Sequence, residues 1–120
     1  MNSKRLLLVY GLTKEEKDFL SISRIEYIDI KPDMASCKIA DIINGKAHMG
    51  TVTKLPDEKV ILMDGYNQNE IMNMVKLIRA GIGKTPILAA VTENSSKWSF
   101  NYLLNHLVEE REWYRNNSKK

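Results

Sequence analysis

Two apolar runs, Leu6-Leu7-Leu8-Val9-Tyr10 and Val60-Ile61-Leu62-Met63, stand out from a chain in which polar and apolar residues otherwise mix. Unbroken runs of this length are the pattern of strands buried on both faces. Each run reaches a glycine, Gly11 or Gly65, then an apolar residue, a polar cap and a glutamate three residues after the cap. The two stretches are Gly11-Leu12-Thr13-Lys14-Glu15-Glu16 and Gly65-Tyr66-Asn67-Gln68-Asn69-Glu70. This order predicts strand, turn, capping box and helix. The cap oxygen takes an otherwise unpaired N–H of the first helical turn, while the glutamate reaches back to the cap's own N–H. The helices are predicted over 14–22 and 68–80, the second stopped by Gly81-Ile82-Gly83, with Tyr66 and Ile71 placed to staple its start.

A second strand follows each helix, Ile25 to Ile30 and Ile87 to Val91, and a second helix follows each strand. Asp33 is placed to cap the first of these helices, which carries Ile39, Ile42 and Ile43 on one face. Ser99 caps the other, which carries Phe100, Leu103, Leu104, Leu107 and Val108, and Trp98 stands before that cap within reach of Leu103. Two tandem βαβα units result, over about 1–44 and 59–114. The connector 45–58 follows neither period and reads as a loop, or as cover for a short edge strand at Thr51 to Lys54.

Right-handed crossovers then predict an α/β domain over 1–114 in three layers: a doubly wound, four-stranded parallel sheet in order 2-1-3-4, with two helices on each face. Ligands bind such sheets beyond the carboxyl ends of the strands, where the winding reverses. The expected crevice is lined by Tyr10, Gly11, Asp64, Gly65 and Tyr66. The helix N-termini at Thr13 and Asn67 turn toward it, and the loop from Thr92 through Asn94 to Trp98 can close over it. A small anion or a nucleotide is the ligand this crevice suits. Neither glycine loop carries the dinucleotide fingerprint or a P-loop ending. Val9-Tyr10-Gly11 also lacks the acidic pair that would hold a divalent cation beside a phospho-acceptor such as Asp64.

With 43% hydrophobic and 28% charged residues over 120 positions, the composition is that of a folding domain able to bury roughly two thirds of its unfolded surface. The 18 Lys and Arg exceed the 15 Asp and Glu only through Arg115, Lys119 and Lys120, so residues 1–114 carry no net charge. The excess is a basic tail over 115–120. No basic block lies inside the domain to release counterions from a duplex, which argues against nucleic acid as a partner. A single cysteine, Cys37, makes no intrachain disulfide, no run of apolar residues is long enough for a membrane span, and no small-residue cleavage site follows Leu12. A reducing, cytoplasmic location is expected.

Candidate chemistry is sparse. His48 lies in the connector, and His106 lies among polar neighbours on the last helix. No nucleophile has a base near it in sequence, Cys37 reads as a small packing residue, and no metal-ligand spacing occurs, so neither a cofactor nor a metal is expected. Glu109-Glu110-Arg111-Glu112 forms a solvated helix face, beside which Trp113 and Tyr114 pack back or contact a partner.

The stretch Ala89-Ala90-Val91-Thr92-Glu93-Asn94-Ser95-Ser96-Lys97-Trp98-Ser99-Phe100, after the Gly65-Tyr66 strand end, resembles a bacterial family, the domain of unknown function 3783, over residues 59–112. Thr92, Trp98 and Ser99 match in place. Glu93 stands where that family usually has proline, Asn94 comes one position early, and Tyr102 replaces the glutamate that often completes the final capping box. The resemblance implies a small bacterial cytosolic protein and carries over no activity. The sequence as a whole points away from an enzyme and toward a protein-interaction or self-association module. A small-anion or nucleotide-binding domain is the alternative.

Overall fold

The computed structural model describes residues 5–46 and 54–117. Its elements are β1 (Leu6–Tyr10), α1 (Lys14–Ile22), β2 (Tyr27–Asp29), α2 (Ile39–Ile43), β3 (Val60–Asp64), α3 (Gln68–Gly81), β4 (Ile87–Ala90) and α4 (Phe100–Asn117). Short 3-10 turns lie at Pro32–Met34 and Ser95–Lys97. The candidate edge strand at 51–54 and His48 fall on or against positions outside the described residues.

The sheet is four-stranded in the expected order, β2-β1-β3-β4. Its directions differ from the expected ones. β1 runs parallel to β2 and β3 parallel to β4, but β1 and β3 are antiparallel, with Leu8 opposite Leu62, Leu6 opposite Asp64 and Tyr10 opposite Val60. The fold is therefore a mixed α/β sheet and not the doubly wound parallel one. The physical reason is plain: a continuous apolar run is buried on both faces in either direction. The crossover rule, in turn, fixes each βαβ unit but not the direction of one unit against the other.

Reversing β3 while both crossovers keep their hand brings α1 and α3 to the same face of the sheet. Leu7 and Val9 of β1 and Ile61 and Met63 of β3 form one buried cluster with Leu20 of α1 and Ile78 of α3. Phe19, Ile71, Met74 and Val75 pack against it. Leu8, Val60 and Leu62 alternate with these residues along the strands and are also fully buried, as the unbroken runs require.

The chain divides into two compact units, each drawn from both halves of the sequence: Met1–Lys31 with Asp57–Glu93, and Pro32–Pro56 with Asn94–Lys120. The first contains the sheet, α1 and α3. The second contains α2, α4 and both 3-10 turns. In the second unit Lys38 and Ser99 form an isolated antiparallel bridge, where the Ile39 N–H donates to the Trp98 carbonyl at 2.9 Å and the Phe100 N–H to the Cys37 carbonyl at 3.0 Å. Ala35, Cys37, Ile39, Ile42, Phe100 and Leu104 are buried there.

Ser99 caps α4 as expected, its Oγ accepting from the Tyr102 N–H at 3.2 Å. Asp33 does not cap α2. That helix begins after Lys38 without a side-chain cap, and Asp33 lies in the earlier 3-10 turn, its Oδ1 buried without a hydrogen-bond partner among the described residues.

Candidate functional site

At the carboxyl end of β1, Gly11 adopts φ +78°, and a Cβ there would collide with the Glu58 carbonyl oxygen. Thr13 then caps α1: its Oγ1 accepts from the Glu16 N–H at 3.2 Å, and its own N–H donates to Glu16 Oε1 at 2.8 Å. The other Glu16 oxygen takes the Lys59 ammonium at 2.8 Å. At the carboxyl end of β3 the same arrangement recurs. Gly65 has φ +80°, Asn67 Oδ1 accepts from the Glu70 N–H at 2.9 Å, and the Asn67 N–H donates to Glu70 Oε1 at 2.9 Å. Arg5 completes it with an ion pair to Glu70.

Because β1 and β3 are antiparallel, their carboxyl ends lie at opposite ends of the sheet, with the whole five-pair ladder between them. Gly11 and Thr13 are at one end and Asp64, Gly65, Tyr66 and Asn67 at the other, so the single crevice expected between the carboxyl ends of the first and third strands does not form. Thr92 follows β4, which runs parallel to β3, and is exposed at the Asp64 end of the sheet. Asn94 and Trp98 belong to the second unit.

Each helix N-terminus is already served by a carboxylate of its own box, which takes the place an anionic ligand would otherwise occupy. Burial alone would raise the Glu16 carboxyl, but hydrogen bonds from Lys59 and the Thr13 backbone outweigh it and hold the group below the usual range. Arg5 chiefly, and the Asn67 N–H after it, hold Glu70 low as well. Asp64 behaves in the opposite way: burial pushes its carboxyl upward. Burial likewise raises the Tyr10 and Tyr66 phenols. Tyr66 lines a shallow apolar hollow of about 270 Å³ with Arg5, Glu70, Asn73, Met74 and Leu77.

Arg5 and Lys59 were not singled out by sequence reasoning, although a signal was present. Each immediately precedes a long apolar run, and the spacing of 54 residues between them is the spacing of Gly11 from Gly65, Thr13 from Asn67 and Glu16 from Glu70.

The second unit presents a different surface. Along α4, Tyr102, Trp113 and Tyr114 are 54%, 59% and 62% exposed. The Trp98 ring meets Tyr102 edge-on at 4.9 Å and His106 at 5.4 Å, and Trp113 meets Tyr114 edge-on at 5.1 Å. A groove of about 430 Å³ is lined by His106, Glu109, Glu110, Trp113 and Tyr114. Helical spacing produces this row: positions 102, 106, 109 and 113 fall on one stripe. Among the described residues, no group of three or more His, Cys, Asp or Glu side chains is placed to hold a metal ion, and no helix is long and apolar enough to cross a membrane.

Sheet order, strand directions and the paired helices define the class: an α/β protein built on an open, mixed four-stranded sheet. Within it, residues 59–114 match the model of the family Domain of unknown function (DUF3783), a stretch that runs from Lys59 through β3, α3 and β4 into α4. No curated protein and no solved structure gives a match to this chain.

Proposed function

We propose that this protein is a non-enzymatic interaction module of a reducing cytoplasm, and that the aromatic face of α4 is its contact surface. The observation that carries this reading is the exposure of Tyr102, Trp113 and Tyr114 along one helix. Aromatic side chains of this kind lose little conformational entropy on binding and dominate the energetics of protein interfaces. Burying them against a partner removes apolar surface from water at about 25 cal/mol per Å².

Glu109 and Glu110 beside Trp113 specify the partner further. Two carboxylates next to indole and phenol rings suit a lysine or arginine side chain flanked by apolar residues, through ion pairing together with cation–π contact. We also read the two halves as copies of one βαβα unit, a reading supported by the recurrence of both capping boxes and their cations at one spacing.

Selection from a displayed library of short peptides tests the contact surface, with Trp113→Ala/Tyr102→Ala protein as the counter-selection. Peptides that carry Lys or Arg between apolar residues should be enriched on the native chain, and Glu109→Gln/Glu110→Gln should weaken their binding about tenfold. Enrichment that survives the double aromatic replacement would overturn the assignment of this surface.

A further inference from the structure

Contacts between the two sequence halves are reciprocal. In the β1–β3 ladder, residues 54 apart in sequence are equivalent, and the central pair, Leu8 opposite Leu62, is itself 54 apart. Leu7 faces Met63 as Val9 faces Ile61, and Leu6 faces Asp64 as Tyr10 faces Val60, so exchanging the halves turns each pair into its equivalent. The ion pairs behave alike: Arg5 of the first half reaches the cap glutamate of the second, Glu70, and Lys59 of the second reaches that of the first, Glu16.

The second compact unit has a reciprocal contact of its own. Leu8 pairs with Ile28 and Leu62 with Ala89, so beyond α1 and α3 the equivalent residues are 61 apart. Lys38 and Ser99, also 61 apart, form the isolated bridge. The Ile39 N–H donates to the Trp98 carbonyl and the Phe100 N–H to the Cys37 carbonyl, each bond becoming the other when the halves are exchanged.

A surface on which one residue meets a second, and the second meets the first, is that of a twofold homodimer. Two halves in chance contact have no reason to centre a ladder, a set of ion pairs and a bridge on equivalent residues. We propose that the second half is a self-pairing unit for which the first half is the resident partner, and that β3, with Lys59 and Glu70, accepts the same strand of a second copy in place of β1. The proposal rests on reading the halves as copies of one unit, and the stretch matched by the family, 59–114, is one such half. Paired this way, Leu62 faces Leu62 of the second copy, Ile61 faces its Met63, and Lys59 reaches its Glu70 in both directions. In the native chain the tethered first half holds that face at high effective concentration, so the chain is a monomer.

Charge reversal in the first half tests this on the full chain. Arg5→Glu/Glu16→Lys makes both ion pairs of the closed chain like-charged, whereas pairing of like halves between two copies keeps Lys59 on Glu70 and sets the two replaced positions in opposite charge. In sedimentation at about 100 μM, the double variant should hold at least about tenfold more dimer than the native chain. Adding Lys59→Glu/Glu70→Lys restores opposite charges within the chain and should return the monomer. This quadruple variant also lacks the glutamate caps, so its return reads charge pairing and not folding.

Cysteine pairing reads the register. In the double variant with Cys37→Ala, Leu62→Cys should cross-link to itself under mild oxidation, because facing Cα atoms lie within about 5.5 Å. Ile61→Cys, which faces Met63, should not. A double variant that stays monomeric, folded or unfolded, would overturn the proposal and leave the copy reading, which rests on spacing, in place. Cross-linking at 62 with none for Leu8→Cys would do the reverse. A dimer that persists in the quadruple variant, or cross-links equally at 61 and 62, would also overturn the proposal. So would one lost with Trp113→Ala and without a cross-link at 62, which would assign self-association to α4.

Discussion

At one end of the β1–β3 pair Lys59 reaches the cap glutamate of α1, and at the other Arg5 reaches the cap glutamate of α3. The bonds correspond one for one, yet their surroundings do not. The Lys59 and Glu16 side chains are 28% and 15% exposed, against 60% and 26% for Arg5 and Glu70. Gly11 sits hard against the strand-leading Glu58, so the first end is closed by backbone. Sequence position sets the pattern of bonds, and burial sets how much each one contributes to stability.

The largest effect expected from this contrast is at Gly11. A side chain at φ +78° costs about 1–2 kcal/mol for conformation alone, and the collision with the Glu58 carbonyl forces the backbone to move besides. Gly11→Ala should therefore lower the stability in urea unfolding by about 3 kcal/mol or more. Gly65 has nearly the same φ, +80°, and Gly65→Ala carries at least the conformational share. A Gly11→Ala loss no larger than about 1 kcal/mol would show that the approach of the turn to Glu58 places no constraint on it.

Next in size are the cations. Lys59→Met leaves a mostly buried Glu16 carboxylate without its partner, which should cost about 2 kcal/mol. Arg5→Met removes a solvent-exposed pair and should cost much less than Lys59→Met. Equal losses in thermal or chemical unfolding would dissolve the distinction between the two ends. The pH dependence gives a second view. Glu16 is held low in the folded chain, so its contribution is present above the unfolded carboxyl value, near pH 4, and is lost as the pH falls through the folded one. Glu16→Gln should therefore destabilise at pH 7 and lose its effect in acid.

The C-terminal ends of α1 and α3 repeat the comparison on a smaller scale. Both close with a bond from five residues downstream, Ile25 N–H to the Leu20 carbonyl at 3.0 Å and Gly83 N–H to the Ile78 carbonyl at 2.9 Å. The first turn is made by Arg24 at φ +60°, a left-handed residue with a side chain, whereas the corresponding Ile82 keeps φ −114° and the positive φ falls one residue later, on the donor Gly83. Arg24→Gly should raise the unfolding free energy by about 1 kcal/mol. No gain would mean that the Arg24 side chain offsets its own backbone strain.

These comparisons also show where the sequence was legible. The long strands, α1 and both capping boxes follow from local pattern, because an apolar run and a box of four residues carry their own geometry. Sheet order followed as well. Strand direction did not, since Leu6 to Tyr10 and Val60 to Met63 are equally apolar from either end, and nothing local ties the first half's direction to the second's. The candidate site failed with it: Gly11 and Gly65 were read correctly as turns that deliver helices, but their convergence depended on a parallel central pair. Arg24 escaped because a left-handed residue without glycine leaves no mark in composition. Asp33 was read as a cap although its helix starts six residues later, at Ile39.

The smallest expected effect has the opposite sign, and it lies at the last positions of β1 and β3. Tyr10 and Asp64 occupy equivalent places at the two ends of the pair, opposite Val60 and Leu6. A phenol placed there stays neutral at pH 7, whereas a carboxylate must be desolvated while charged, and burial accordingly pushes Asp64 upward. A raised folded value means that the stability tied to this group is greatest below the unfolded carboxyl pKa and is lost as the pH rises through the folded one. At pH 7 the ionised Asp64 thus opposes folding, by an amount that its remaining contact with water keeps to about 0.5 kcal/mol. Asp64→Asn should raise the midpoint of thermal unfolding slightly at pH 7 and leave it unchanged near pH 3, the mirror image of Glu16→Gln. A loss of stability at pH 7 would instead assign the carboxylate a partner that holds it in place, and the two strand ends would then be alike in being satisfied.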